Sequence, residues 1–322
     1  MTCSRLNVLA ALAAAPVLIP SRGRAQAAPA TIRVGSPPSE SVTPLVYAIR
    51  AGLFERAGIK IDFTKTASGA GTLAGVVGGA LDIGVSSMVS VVLGPPRGVP
   101  FKLVAPMGLW LPSSEGGLVV ATSSPLRTAK DFNGKIFSAA AVNDLSDLAM
   151  RVWMDQNGGD AKSLKVVEIP QSAALAAIEQ GRIDGVGLTD PAFAVAVASG
   201  KVRFVANINS AISPRYLLGG MVSMSGWVER NHAAAERFAR VIAEASTYVN
   251  GHPDETQSDV VDFTGIDRSL LARMKRTLYT PTLNAAEIQP VIDVAVRYKV
   301  FEKGYPATEL ISDAAVGTGR AV

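Results

Sequence analysis

Short β-branched and apolar runs alternate with alanine-rich helical patterns along nearly all of this chain. That alternation constrains the fold more than any other feature. It predicts an α/β protein whose mostly parallel sheets are covered by helices. Strands are expected at Thr31–Gly35, Ile59–Thr64, Leu81–Val85, Phe101–Met107 and Gly117–Thr122. Helices are expected at Thr43–Ala57, closed by Gly58, and at Gly71–Gly79 and Ser87–Leu93. The pattern then restarts, with strands at Lys135–Ala140, Leu164–Ile169, Ile183–Leu188 and Val202–Ala206. Helices at Asp144–Gln156, Ser172–Gln180 and Ala192–Ala198 separate them. Beyond Tyr216–Ser223 the chain reads mainly as helix, at Ala234–Tyr248, Glu255–Phe263, Ser269–Thr277 and Ala285–Val300.

The restart has an internal echo. Gly79-Ala80-Leu81-Asp82-Ile83-Gly84 matches Gly181-Arg182-Ile183-Asp184-Gly185-Val186. Each segment follows an apolar helix and opens an apolar strand. The leading glycine suits a helix stop, where positive φ costs little. A generic helix-to-strand turn can look the same, but the matching neighbours favour two similar units.

Met1–Ala27 reads as a secretory signal. Arg5 precedes an uncharged apolar run, Leu6–Pro20, and Ala25-Gln26-Ala27 is a small-x-small cleavage pattern. The run is shorter than the ~20 residues of a spanning helix, so no membrane anchor is expected. Cleavage after Ala27 leaves about 295 residues, enough for two domains. It removes three arginines and no acid, which lowers the formal net charge from +4 to about +1. The basic balance is therefore no argument for nucleic-acid binding. Cys3 is the only cysteine and leaves with the signal. With His232 and His252 as the only histidines, neither a disulfide nor a metal site is expected, and no cofactor motif is present. Ala70–Gly75 lacks the Gly-Lys-Ser/Thr of a phosphate-binding loop.

In open α/β sheets, ligands sit beyond the carboxyl ends of the strands. That rule selects Ser36, Ser39 and Ser41 in the first such loop. It also selects Ser68 and Gly69 at a helix start suited to an anion, and Ser86 and Ser87 after the third strand. In the second unit it selects Asn143 and Asp190. Each serine also suits a helix N-cap, and Asp190 before Pro191 suits one as well. Glu40 is expected to face water. Met88, Met107 and Trp110 could line an apolar wall or belong to the core, with Trp110 expected in a loop near the boundary. These loops contain no lysine or arginine.

Several segments in order resemble one family. They are Ile32–Gly35, Pro44–Ala48, Ala51–Ile59, Ser68-Gly69, Gly79–Gly84, Gly98-Val99-Pro100, Asp131–Lys135, Gly181–Asp184 and Glu287–Val300. The chain resembles the nitrate/sulfonate/taurine and thiamine-precursor binding proteins, the solute receptors of ABC importers. That resemblance implies a type II periplasmic binding protein: two α/β lobes, two crossing strands and a ligand cleft between them. It implies one lobe of about 31–120 plus 219–322 and another of 121–218, with crossings near Ala121–Ser123 and Leu217–Gly220. The implied partners are a small-molecule ligand and an ABC permease with its ATPase, for a monomeric protein in the periplasm. Val42 stands where thiamine-pyrimidine relatives carry histidine, and the cysteine cluster of the enzyme branch is missing.

The expected ligand is a small organic anion with an apolar part, a sulfonate or carboxylate. A neutral nitrogen heterocycle, such as a thiamine-pyrimidine precursor, is the alternative, with Asp190 accepting its hydrogen bond. A secreted sensor without transport would share these features, and an enzyme on the same fold would need a nucleophile–base pair or metal. N-terminal sequencing of exported protein should find Ala28 as the first residue; a chain retaining Met1 would refute processing.

Overall fold

The structure is a computed structural model that describes residues 30–316; the expected signal segment lies outside them. The first series runs β1 (Ala30–Ser36), α1 (Thr43–Arg50), α2 (Leu53–Arg56), β2 (Ile59–Lys65), α3 (Gly69–Val77), β3 (Ile83–Ser87), α4 (Met88–Val92), β4 (Phe101–Pro106) and β5 (Gly108–Trp110). The second runs β6 (Gly116–Ala121), β7 (Ile136–Ala139), α5 (Leu145–Gln156), β8 (Lys165–Glu168), α6 (Gln171–Glu179), β9 (Gly185–Thr189), α7 (Ala192–Ala198) and β10 (Val202–Ala206). The chain finishes with β11 (Tyr216–Leu217), β12 (Gly219–Met224), α8 (Ser225–Arg230), α9 (His232–Gly251), α10 (Gln257–Thr264), α11 (Arg268–Leu271), β13 (Leu278–Tyr279) and α12 (Ala285–Arg297).

Two five-stranded sheets result, in the orders β2-β1-β3-β12-β4 and β8-β7-β9-β6-β10. They have one topology. In the first, β1 pairs parallel with β2 and β3, while β12 runs antiparallel to β3 and β4. In the second, β7 pairs parallel with β8 and β9, while β6 runs antiparallel to β9 and β10. The reversed strand in each sheet is the one that arrives from the other sheet. The crossings themselves, β5 and β11, pair antiparallel, and β13 adds to β5.

Three expectations need correction. The first crossing falls before β6, not near Ala121–Ser123, because Gly116–Val119 pairs with β9 and so belongs to the second sheet. The single helix expected over Thr43–Ala57 is two, broken where Gly52 adopts φ +66°. Ser269–Thr277 is helical only through Leu271, and β13 follows it.

The echo has a physical basis. Gly79 (φ +74°) and Gly181 (φ +66°) turn the chain out of α3 and α6. The aspartate three residues on then ties the next strand to its parallel neighbour. Asp82 N–H donates to Arg33 O at 2.8 Å, and the Asp82 carboxylate accepts from Arg33 N at 2.8 Å. Asp184 N–H donates to Ile136 O at 2.8 Å, and its carboxylate accepts from Ile136 N at 2.8 Å. Asp82 also accepts from the Arg33 guanidinium at 3.0 and 2.6 Å.

Each sheet is buried on both faces, as parallel sheets require. One face of the first packs Ile32, Val34 and Leu45 with Phe54 and Phe238, whose rings stack 5.2 Å apart. The other packs α4 and α12 through Val91, Val92, Ile288 and Ile292. In the second sheet, Phe137, Met150 and Met154 fill one face, and Ala174, Ile178 and Leu188 the other.

Asp82 is buried, and its hydrogen bonds are charge-assisted. Asp82→Ala should therefore lower unfolding free energy by about 2 kcal/mol, measured by urea denaturation. A loss no larger than that of an exposed surface substitution would refute the tie.

Candidate functional site

The carboxyl ends of the central strands of both sheets face one cavity of about 490 Å³. Ser39 and Ser41 follow β1, Gly69 follows β2, and Ser86 and Ser87 end β3. From the second sheet, Ala141 and Asp144 follow β7, Thr189 ends β9 and Asp190 follows it. Met107, Leu109 and Trp110 form an apolar floor where the chain crosses.

Six of the nine expected residues line this cavity: Ser39, Ser41, Gly69, Ser86, Ser87 and Asp190. Ser36, Ser68 and Asn143 do not. Ser36 is fully buried and donates to Pro37 O at 2.9 Å. The Ser68 hydroxyl caps α3 by accepting from Gly71 N at 3.1 Å. Asn143 takes φ +63°, and its amide donates to Asp147 at 2.8 Å. Met88 is core, at 0 % exposure. Trp110 is in strand β5 rather than a loop, stacked on Tyr216, and its indole N–H donates to Ser210 at 3.1 Å.

The wall from the first sheet offers donors. A helix start leaves its first amides without intrahelical acceptors, and Ser68 satisfies only that of Gly71 in α3. Gly69 and Ala70 line the cavity at this point. Ser86 beside them is 2 % exposed, and its hydroxyl is buried without a hydrogen-bond partner. A Cβ on Gly69 would stand 2.7 Å from that hydroxyl, so glycine is what lets the start of α3 lie directly against Ser86.

Lys275 and Arg276, from the segment between α11 and β13, also line the cavity. The strand-end loops themselves contain no basic residue, so these two come from a segment the strand-end rule does not reach. They lie far along the chain from every strand-end loop, in a segment whose pattern reads as helix. The expectation that Glu40 faces water is corrected. Glu40 is buried and accepts from Arg276 Nε at 2.6 Å and from the Thr277 amide and hydroxyl at 3.2 Å each. Arg276 Nη1 donates to Pro253 O at 2.8 Å, and Nη2 is buried without a partner.

The wall from the second sheet offers carboxylates. Asp144 closes the start of α5, accepting from Ser146 N, Ser146 Oγ and Asp147 N at 2.9 Å each and from Ala141 N at 3.2 Å. Burial pushes its carboxyl above the ordinary value. Asp190 accepts from Ala194 N at 3.1 Å. Burial pushes the Asp190 carboxyl up to about 7; that amide opposes the rise, and the charges of Glu115 and Glu40 add to it.

Among the described residues no group of three or more His, Cys, Asp or Glu side chains could hold a metal, and no helix is long and apolar enough to cross a membrane.

The NMT1/THI5 like family profile matches residues 39–256, and the chain belongs to that family. A Bacillus subtilis (strain 168) protein with the provisional description aliphatic sulfonates-binding protein is 22% identical over 295 residues, which cover 88% of this chain and 86% of that one. The periplasmic aliphatic sulphonate binding protein SsuA of Escherichia coli superposes with a TM-score of 0.73 at 17% identity, over 88% of this chain and 92% of the other. The desulfurization enzyme DSZB superposes with a TM-score of 0.66 at 13% identity, over 88% and 96%. The two-lobed periplasmic binding protein fold is therefore established, and it carries both receptors and an enzyme.

Asp190 predicts a pH effect of definite sign. An aspartate in the unfolded chain ionises near about 4. Between there and about 7 the folded protein retains a proton that the unfolded chain has released. The contribution of Asp190 to stability is then full below about 4 and is lost as pH rises through 7. Asp190→Asn removes this loss, so the Tm of the variant relative to wild type should climb between pH 4 and pH 8. A constant difference would refute the raised carboxyl.

Proposed function

We propose that this protein is a periplasmic solute receptor that captures a small organic anion, a sulfonate or carboxylate, and delivers it to an ABC permease and its ATPase. The observation that carries this reading is the Ser86 hydroxyl, buried and unpartnered beside the start of α3. Helix N-termini hold one negative charge through amides and the helix dipole. Met107, Leu109 and Trp110 would cover the apolar body of the ligand. The sulfonate-binding descriptions of the Bacillus relative and of the Escherichia coli protein agree with this chemistry.

We read the two sheets as two lobes, with the boundary before Gly116 rather than after residue 120, hinged at β5 and β11. Export through the Met1–Ala27 signal is part of the same proposal. A binding role is favoured over an enzymatic one because the cavity wall carries no histidine or cysteine to pair as nucleophile and base.

Isothermal titration of the mature protein with short alkanesulfonates and alkanecarboxylates tests the reading. Ser86→Ala should weaken binding about tenfold, the equivalent of ~1.4 kcal/mol, by removing one charge-assisted hydrogen bond. The same substitution should keep or raise the Tm of the free protein, because a buried hydroxyl without a partner is itself destabilising. Unchanged affinity in Ser86→Ala, or no binding of any anion by wild type, would overturn the proposal.

A further inference from the structure

The repeat in the two sheets extends to their last strands, and there the two units part. Ser87 and Thr189 end β3 and β9, and they face Gly219 and Gly116 in the reversed strands. Counting on from those glycines in step reaches Val222 and Val119. Val222 pairs with Leu103 of β4, and Val119 pairs with Phe204 of β10, so Leu103 and Phe204 hold one place in the repeat. A bulge follows each, at Val104 and Val205. Leu103 is covered: its N–H donates to Leu310 O at 2.7 Å and its carbonyl accepts from Ser312 N at 2.9 Å. The chain thus lays an extended segment along the outer edge of β4. Among the described residues Phe204 has no such cover, and it is 48 % exposed.

A sheet edge carries unpaired amides and carbonyls, and proteins guard it with charge or a covering segment. The edge of β2 presents Lys60 and Asp62, and β8 is bounded by Lys165 and Glu168, all exposed. The one charged residue of β10 is Arg203, and its guanidinium is taken up by the carbonyls of Ser124 and Leu126. Thr122 N–H donates to Lys201 O at 3.0 Å. Antiparallel alternation then places Arg203 in the next hydrogen-bonded pair with β6 and turns the N–H and C=O of Val202 and Phe204 outward. The apolar surface continues beyond the strand. Phe204 meets Phe193 edge-on, with 6.0 Å between ring centroids. Helix α7, which packs along β10, is wholly apolar, and its Val195 and Val197 are 48 % and 44 % exposed.

Charge changes sign along this edge. Lys201 precedes β10, and Arg127 follows Leu126, whose carbonyl Arg203 holds; both cations are exposed. Lys201 has Glu179 at 3.7 Å, and Arg127 forms no ion pair among the described residues. Beyond the other end stand Glu115, just before β6, and Asp190, just after β9, neither of them in an ion pair among the described residues. A second copy laid antiparallel sets each basic start towards the other's acidic finish, whereas a parallel one sets like against like. We propose that two copies of this protein join edge to edge through β10, antiparallel about a two-fold axis at Phe204. Phe204 exchanges N–H···O bonds with its counterpart, the two rings meet on the α7 side, and the second sheets of both copies become one. The contact is isologous and closes on itself. It departs from the monomer that the family resemblance implies. No residue of β10 or α7 lines the ligand cavity, so the interface stands apart from the receptor reading.

Sedimentation velocity of the mature protein over about a hundredfold range of concentration tests the interface, because a dimer gains on the monomer by mass action. Wild type should shift from monomer to dimer as concentration rises. Phe204→Asp and, separately, Val195→Asp should each remain monomeric while keeping the circular dichroism of the folded protein. Phe204→Cys supplies a second readout. The mature chain has no other cysteine once Cys3 is removed. Facing Cα atoms in a hydrogen-bonded antiparallel pair lie about 5.5 Å apart, within disulfide reach. Oxidised at a concentration where wild type is dimeric, Phe204→Cys should run as a covalent dimer that reductant separates. Lys60→Cys, on the guarded β2 edge, should not. A wild type that stays monomeric throughout, or a dimer that both aspartate variants leave intact, rules the interface out. Absence of the disulfide in Phe204→Cys rules out the pairing about Phe204.

Discussion

Everything functional in this protein depends on the antiparallel contact between β5 and β11. Leu109 pairs with Leu217 and Trp110 with Tyr216 across it, and the two rings stack. These strands carry the chain between two sheets, and α5 of the second also packs Leu148 and Val152 into the cluster around α4 and α12 of the first. Helices cover both faces of each sheet, so the space beyond the strand ends need not fill with side chains. Fully buried aromatic residues at the crossing keep the floor of that space in place while the strand ends above it remain open.

That arrangement explains why the site draws on so many distant residues. Parallel strands in both sheets deliver their carboxyl ends to one side, so each sheet contributes loops and helix starts of the same geometry. What differs is what stands at each start. Ser68 leaves α3 short of acceptors, whereas Asp144 and Asp190 satisfy α5 and α7 internally. A repeated scaffold thus supports two walls of opposite character, and the polarity of the cleft is set by single residues at helix starts that follow different strands of the repeat: α3 follows β2, whereas α5 and α7 follow β7 and β9. The Glu40–Arg276 pair keeps the first wall close to neutral while holding β13 against the loop after β1.

Much of this was legible in the chain. Strand–helix alternation and the Gly79–Gly84 echo at Gly181–Val186 were enough for two like units. The aspartates in that echo prove to be the ties between neighbouring strands. The strand-end rule found Ser39, Ser41, Gly69, Ser86, Ser87 and Asp190 in the cavity wall. It failed at Ser36, Ser68 and Asn143, which lie in the right loops but turn inward or cap the backbone. A loop position specifies a neighbourhood; the direction of a short polar side chain depends on the backbone dihedrals of that loop, as the positive φ of Asn143 shows.

By itself the sequence determined the class of fold, the repeat and the set of loops from which a site could be built, because periodicity and helix punctuation are local properties. Tertiary structure alone decided that β6 pairs in the second sheet, that Trp110 is a floor residue, and that Lys275 and Arg276 reach the cavity. It also decided that Glu40 is a buried partner rather than a solvated acid. Each of these is a contact between segments far apart in the chain, and no local pattern encodes which distant partner will neutralise a charge or cover an aromatic ring. The orphaned Ser86 hydroxyl is of the same kind, since only the close approach of Gly69 to β3 leaves it buried and free.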